Sequence, residues 1–481
     1  MENLDVLIIG AGISGIGAAY YLQKDTTKTN FKIIEARDDL GGTWDLFRYP
    51  GIRSDSDLFT FAYEFNPWDG DNAIADGESI KAYIKATAKK FNIFDKIRFQ
   101  SKVLEINWDT QQRIWRVIIE DTKTNEKSEI KAKWIFNATG YYRYDQGYSP
   151  EFKNQDEFKG QIIHPQSWPA DLDYSDKEVI VVGSGATAIT LIPAMSEKTK
   201  HITMLQRTPT YVMPIPSKDK LSKFLRPILG EKMAFKLTRK FHILQQKYVY
   251  ELCQRFPETA KKLIQKTNQK LLPNDFPVDK HFNPPYGPWD QRLCAVPDGD
   301  LFKVITKGEA SIVTDEIESF TPEGIRLKSG DELKADIIIT ATGLNLQLLG
   351  GIKPKIDGEV IDLSKCITYK GILLSHIPNF AFAIGYTASS WTLKIGLLCE
   401  YFSRLLNFMD ENGYQECFPQ PKPNMKTKPF LDFGAGYIQR SIDKLPKQGD
   451  QFPWSTSSNY AGDVKIFRKG RIDDPNLEFK K

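Results

Sequence analysis

Cysteine and histidine are scarce in this chain of 481 residues, which holds five of each. The cysteines (Cys253, Cys294, Cys366, Cys399 and Cys417) are scattered, odd in number and contain no CxxC pair. That argues against a disulfide framework, a zinc site and a disulfide-reductase redox pair. The histidines include no HExxH or similar ligand spacing, so no metal is expected. No apolar run approaches the length of a transmembrane span. The first residues, MENLDVLIIGAG, run straight into a strand pattern without the basic, apolar and small-residue sections of a secretory signal, and a cytoplasmic location is the expectation. No nucleic-acid-binding motif occurs. What remains is an ordinary globular composition, 41% hydrophobic and 26% charged. The length suffices for two or three domains with substantial cores.

Within that frame, glycine is placed with purpose. LDVLII at 4–9 reads as a buried parallel strand. Gly10, Gly12 and Gly15 follow in GAGISG, the apolar helical stretch IGAAYYL comes next, and FKIIE reads as a second strand ending on Glu35. Strand, tight turn, helix, strand and terminal acid form the full context of a dinucleotide-binding fingerprint. The helix N-terminus would offer its dipole and free N–H groups to a pyrophosphate. Glu35 would accept from the ribose hydroxyls of the adenosine; because an N-terminal site of this kind more often holds FAD where a chain carries two such sites, as this one does, FAD is expected here.

The pattern recurs at EVIVVGSGATAITLIPAM, with a strand at 179–182 and Gly183, Gly185 and Ala188 in the three fingerprint positions. The following strand, HITMLQ, ends not on an acid but on Arg207 and Thr208. A carboxylate there would repel a 2′-phosphate, whereas a guanidinium binds it through paired charged hydrogen bonds. The second site is therefore expected to take NADPH.

Between the fingerprints lie GGTWDLFRYPGIRSD at 41–55 and FKGQIIHPQSWP at 158–169. On these two motifs the chain resembles the type I Baeyer–Villiger monooxygenases; the related flavin-containing monooxygenases usually carry Tyr where Trp168 stands. ADGESI, GYSPEF, GSGATA, WDQRLC, ITATGLNLQL and LPKQG extend the likeness over almost the whole chain. They look like the subgroup of bacterial FAD-containing monooxygenases that includes the ethionamide-activating enzyme. The resemblance implies an NADPH- and oxygen-dependent enzyme. Its C4a-peroxyflavin converts ketones to esters or lactones and can oxygenate thioether or thioamide sulfur. It implies Arg292 as the active-site arginine, with Asp55 as its paired acid, and a fixed cation there would stabilise developing oxyanion charge. Gly42, Thr43, Trp44 and Asp55 are implied at the cofactor, with Trp44 and Tyr49 either packing beside the flavin ring or belonging to the aromatic core. His164, with Phe158, Gly160 and Trp168, is expected to organise the linker between domains, and Trp391 either to wall the substrate pocket or to pack in the core. Many members have Lys before the active-site Arg; Gln291 stands here and leaves more of the NADPH preference to Arg207.

The fold class that follows is α/β, with two Rossmann-like dinucleotide-binding domains and a helical insertion. The expected divisions are 1–145 and 336–481 for FAD, 146–216 and 289–335 for NADPH, and 217–288 for the insertion. NATG at 137–140 and TATG at 340–343 mark where the chain crosses between the two. The insertion holds 15 Lys or Arg against 6 Asp or Glu, an excess of +9 in a chain whose net charge is +4. Phe241, Leu244, Tyr248, Leu252 and Phe256 recur there at helical spacing. Two or three amphipathic helices capping the active site with a solvated basic face are expected, and a peripheral contact with anionic membrane stays open. The partners expected are a small apolar ketone or sulfur substrate and O2, with no signal for an oligomeric state. A flavin-containing N- or S-oxygenase is the nearest rival reading, and a non-catalytic flavin redox sensor is another.

Overall fold

The structure, a computed structural model, describes residues 2–28, 30–70, 72–291, 293–387, 389–431, 434–457 and 459–481. The first fingerprint folds as β1 (Glu2–Ile9), α1 (Ile13–Asp25) and β2 (Phe31–Ile34), with β2 parallel to β1 and Ile9 beside Ile34. Three antiparallel strands follow: β3 (Ser101–Asp109), β4 (Ile114–Asp121) and β5 (Lys127–Asn137). β5 is long enough to pair twice. Its first half runs against β4, and its second half lies parallel to β1, Ile9 facing Asn137.

The second fingerprint builds a separate sheet. β6 (Gln161–Ile163), β7 (Glu178–Val182), α2 (Ala186–Met195) and β8 (His201–Gln206) precede the insertion, whose main helices are α3 (Lys220–Arg255) and α4 (Pro257–Gln269). β9 (Ala310–Thr314) and β10 (Ile337–Thr340) complete a five-stranded, all-parallel sheet in the order β9-β8-β7-β10-β6. β10 extends to Thr340, past the boundary expected at 335, because its apolar run IIIT is needed between β7 and β6. The chain then returns to the first sheet through β11 (Phe380–Phe382), parallel to β5, and ends with α5 (Trp391–Asn412) and α6 (Tyr460–Lys469) among its last elements.

Both parallel strands that open a fingerprint are buried on two faces, which is why each reads as an unbroken apolar run. Val6 and Ile8 join the core under α1 and α5, while Leu7 and Ile9 join the opposite core with Trp108 and Trp115. In the second unit Val179 and Val181 pack toward α2, and Ile180 and Val182 toward Phe320 and Ile325. Each such side chain, fully buried, contributes on the order of 1.5–3 kcal/mol.

The insertion departs from expectation in one respect. α3 is broken at Gly230 (φ 71, ψ 165), so α3 and α4 make three helical segments, and a single helical turn at Val278–His281 follows them. The apolar stripe of α3, however, faces solvent. Ala234, Thr238, Arg239, His242 and Gln246 turn inward instead. The surface beneath explains this, because it presents acceptors: Arg239 Nη1 donates to the carbonyls of Phe59 (2.7 Å), Thr60 (3.2 Å) and Ala62 (2.9 Å). Gln246 Nε2 donates to Asp57 at 2.8 Å. A methyl group at position 239 would remove the Arg239 donor from the carbonyls of Phe59 and Ala62, while the Thr60 carbonyl would keep Thr392 Oγ1 at 3.0 Å.

Candidate active site

At the β1–α1 turn lies a cavity of about 340 Å³, lined by Gly10, Gly12, Glu35, Gly42, Thr43 and Trp44 among others. Gly12 caps α1 without any side-chain hydrogen bond, leaving the first-turn N–H groups of the helix toward this space. Gly42 belongs to the turn that faces it; a Cβ added there would lie 3.1 Å from Gly12 Cα, so the GGTW turn and the GAG turn nearly touch. Gly15 serves the packing of helix on strand. An added Cβ would fall 1.9 Å from the Gly10 carbonyl oxygen, so the two elements meet only through glycine. Glu35 ends β2 buried in the cavity wall, its carboxylate accepting from the amides of Ala11 (2.7 Å) and Arg37 (3.0 Å). Burial raises its pKa, an effect those amides oppose.

The second fingerprint has the same form. Gly185 caps α2 without a side-chain partner, and a Cβ added to it meets nothing within 4 Å. Gly183 takes φ +138 and lies against the Ala341 carbonyl, while Ala188 is fully buried in the helix–sheet interface. Ser184 Oγ donates to the Thr208 carbonyl at 2.8 Å, tying the glycine turn to the end of β8, where Arg207 is exposed.

A larger chamber of about 550 Å³ adjoins the first cavity. Trp44 and Trp391 line both spaces. Trp391 is fixed by its Nε1 donating to Ser14 Oγ at 2.9 Å and by stacking on Tyr141 at 5.4 Å. Asp55 stands in the chamber wall, as does Leu293. Arg292 lies outside the described residues. Tyr49 does not reach either space; it is buried in the core of the second unit against Phe47, because the YPG turn packs onto α2.

One cluster in this chamber had no sequence signal. His242 on α3 shares Nε2 with Asp219 at 2.7 Å, sits 4.0 Å from Asp57 through Nδ1 and stacks on Phe59. Burial opposes its charge, but the hydrogen bond to Asp219 and the two carboxylates outweigh it, and its pKa is raised. Three residues drawn from distant parts of the chain carry no spacing that periodicity could detect.

The linker between the two sheets is tied by paired backbone. Arg143 N donates to Asn345 O at 2.9 Å and Tyr148 N to Gly343 O at 3.1 Å. His164 bridges to the same carbonyl: Nδ1 accepts from the Gln166 amide, so Nε2 carries the hydrogen and donates to Gly343 O at 3.2 Å. Burial holds its pKa down, consistent with a neutral ring in a structural bond. Phe158 packs on Phe320, and a Cβ at Gly160 would meet the Asp336 carbonyl at 2.2 Å. Among the described residues, no group of three or more His, Cys, Asp or Glu could hold a metal ion.

The profile of a family described as flavin-binding monooxygenase-like matches residues 4–220. The chain is 49% identical to the FAD-containing monooxygenase EthA of Mycobacterium tuberculosis, over 100% of this chain and 98% of that protein. It is also 49% identical to the probable FAD-binding monooxygenase AlmA of Acinetobacter baylyi, over 100% of this chain and 97% of that protein. In fold it is similar to the crystal structure of cyclohexanone monooxygenase from Rhodococcus sp. Phi1 bound to NADP+, with a TM-score of 0.77 at 19% identity, covering 100% and 99% of the two chains. Two glycine-turn nucleotide cradles in an α/β frame, two tryptophans shared between cavity and chamber, and full-length identity near one half lead to one conclusion: the chain belongs to the flavin-binding monooxygenase family.

Proposed function

We propose that the chain holds FAD in the cavity at Gly10, Gly12, Glu35, Gly42, Thr43 and Trp44, and NADPH at Gly183, Gly185, Ala188, Arg207 and Thr208. We propose further that it inserts one atom of O2 beside the carbonyl of a ketone to give an ester or lactone, and oxygenates thioether or thioamide sulfur in the same chamber. The observation that carries this reading is the junction of a nucleotide cradle with a mainly apolar chamber at Trp44 and Trp391. The cradle fits such a cofactor: an uncapped helix N-terminus, glycine where a Cβ would obstruct, and an acid at the ribose end. The likeness to EthA and AlmA, both named for FAD, supports the same assignment.

When bound, the flavin would accept a hydride from NADPH and activate O2, one oxygen atom entering the product and the other leaving as water. The protein's part is to orient and to exclude solvent. Asp55 would position the Arg292 guanidinium, and that guanidinium would stabilise negative charge as it develops on the substrate oxygen. Trp44 and Trp391 would flank the bound cofactor where cavity and chamber meet, and the mainly apolar lining of the chamber would limit water beside it. The exposed Arg207, at the end of β8, would bind the 2′-phosphate.

The test is NADPH consumption by the FAD-loaded protein with ketone and thioether panels, with products identified by mass, repeated on Arg292→Ala. Ester formation lost in the variant while NADPH still bleaches the flavin is the expected result. Sulfoxide without ester would move the activity to sulfur oxygenation alone. Absence of any oxygenated product would leave an NADPH oxidase or a redox sensor.

A further inference from the structure

Among the described residues fifteen large apolar side chains are exposed, and twelve of them lie within 224–271. Six of these follow α3 at steps of four, four, three, four and four: Met233, Leu237, Phe241, Leu244, Tyr248 and Leu252. They are 40–57% exposed and form one stripe about 30 Å long at the helical rise. Phe256 prolongs it at the α3–α4 corner, and Phe224 and Ile228 stand out from the segment before Gly230. Lys232, Lys236, Lys240, Lys247 and Arg255 are exposed beside the stripe. An apolar ridge this long is unusual on a soluble surface and marks a contact.

The charge selects the contact. A second copy docked by the same face would set one lysine-flanked ridge against another, since a two-fold interface presents the same patch from both sides. A surface of anionic lipid headgroups satisfies both features at once: acyl chains take the apolar residues and the headgroups take the flanking cations. Lysines at these positions can extend upward along their own alkyl stems while the ridge sinks below them. No helix among the described residues is long and apolar enough to cross a membrane, so the contact is one of lying on the surface.

We infer that the α3–α4 insertion is a docking face for anionic membrane. The face also leads inward. Phe241 belongs both to the ridge and to the chamber wall, and Lys218, Lys220 and Leu221 at the start of α3 line the chamber as well. An apolar molecule dissolved in the bilayer would therefore meet the chamber without crossing water. Lipid binding itself is independent of the reaction carried out inside.

The experiment is co-sedimentation of the FAD-loaded protein with vesicles of phosphatidylcholine containing about one-third phosphatidylglycerol, against vesicles of phosphatidylcholine alone. The wild type is expected in the pellet with the anionic vesicles, less so at high salt, and largely in the supernatant with the neutral ones. Leu244→Ser/Tyr248→Ser/Leu252→Ser removes three ridge residues that do not line the chamber. It is expected to lower partitioning at least tenfold with an unchanged melting midpoint and flavin content. Lys236→Glu/Lys240→Glu/Lys247→Glu is expected to do the same by charge alone. Wild type left in the supernatant, equal partitioning by wild type and both variants, or a ridge-dependent dimer that ignores vesicles would each overturn the inference.

Discussion

Two glycines that occupy different positions of the dinucleotide fingerprints should respond oppositely to the same added methyl. At Gly15 the new Cβ would fall 1.9 Å from a backbone oxygen, more than 1 Å inside the 3.0 Å that real contacts respect. Neither partner is a flexible side chain, so α1 must lift from β1. Alanine would ordinarily improve a helix by up to about 1 kcal/mol relative to glycine, and here that gain is swamped by the cost of separating the two elements. At Gly185 the same methyl meets no atom within 4 Å, and φ −79, ψ −177 is extended backbone that alanine adopts freely. Gly185→Ala should therefore leave the folding stability within about 0.5 kcal/mol. Its effect should appear only when a pyrophosphate approaches that turn. A methyl intruding on the contact costs about 1–3 kcal/mol, so the NADPH KM should rise roughly ten- to a hundredfold. The assay pairs a thermal midpoint on the FAD-loaded protein with stopped-flow bleaching of the flavin by NADPH. An NADPH dependence within twofold of wild type for a normally melting Gly185→Ala would refute the placement of the pyrophosphate. A Gly15→Ala protein that folds and keeps FAD normally would refute the steric argument.

Three further outcomes follow from other parts of the molecule. Lys394 and Asp463 form an ion pair at 2.6 Å with both side chains almost fully buried, and the Tyr386 hydroxyl donates to the same carboxylate at 2.6 Å. Lys394→Met should cost about 3–5 kcal/mol by leaving Asp463 unpaired, while Lys394→Met/Asp463→Leu should recover most of it; a melting midpoint for the single variant equal to wild type would contradict this. His242 has a raised pKa in the fold, so its charged contribution should be complete below its ordinary 6.5 and be lost as pH climbs through the raised value. The midpoint gap between wild type and His242→Gln should thus shrink from mildly acidic to alkaline pH, and a gap that widened would reverse the sign. Arg207→Ala should raise the NADPH KM by roughly ten- to a hundredfold, the loss of one charged hydrogen-bonding group, and leave that for NADH unchanged. An equal loss for both nucleotides would remove Arg207 from the discrimination.

Legibility in the sequence tracked how narrowly the backbone constrains the residue. The β1–α1–β2 unit could be read because Gly15 has no substitute at its contact and because β1 must be apolar on two faces. The α3 helix was equally visible in its period, but a period gives the existence of an apolar face and not its direction. Here the inward face was decided by the carbonyls at Phe59, Thr60 and Ala62, which required Arg239 and left the leucines outside. Of the two places open to Tyr49, beside a flavin or in the aromatic core, the turn at Gly51 selects the core against α2, which no local pattern could decide. The cluster of Asp57, Asp219 and His242 exists only once α3 crosses the first sheet's loops, so nothing local announces it.

The chain passes between the two sheets twice, and the two passages lie side by side, bonded from Tyr142 and Leu346 to Tyr148 and Gly343. Two bonded passages resist twisting in a way that one strand of chain does not, because neither can turn without breaking the bonds of Arg143 to Asn345 and of Tyr148 to Gly343. The turn at Gly51, seated on α2, joins the two units at a second place. The turns at Gly12 and Gly185 are thus held to one another from two directions, and His164 adds its own bond to the first of them at Gly343.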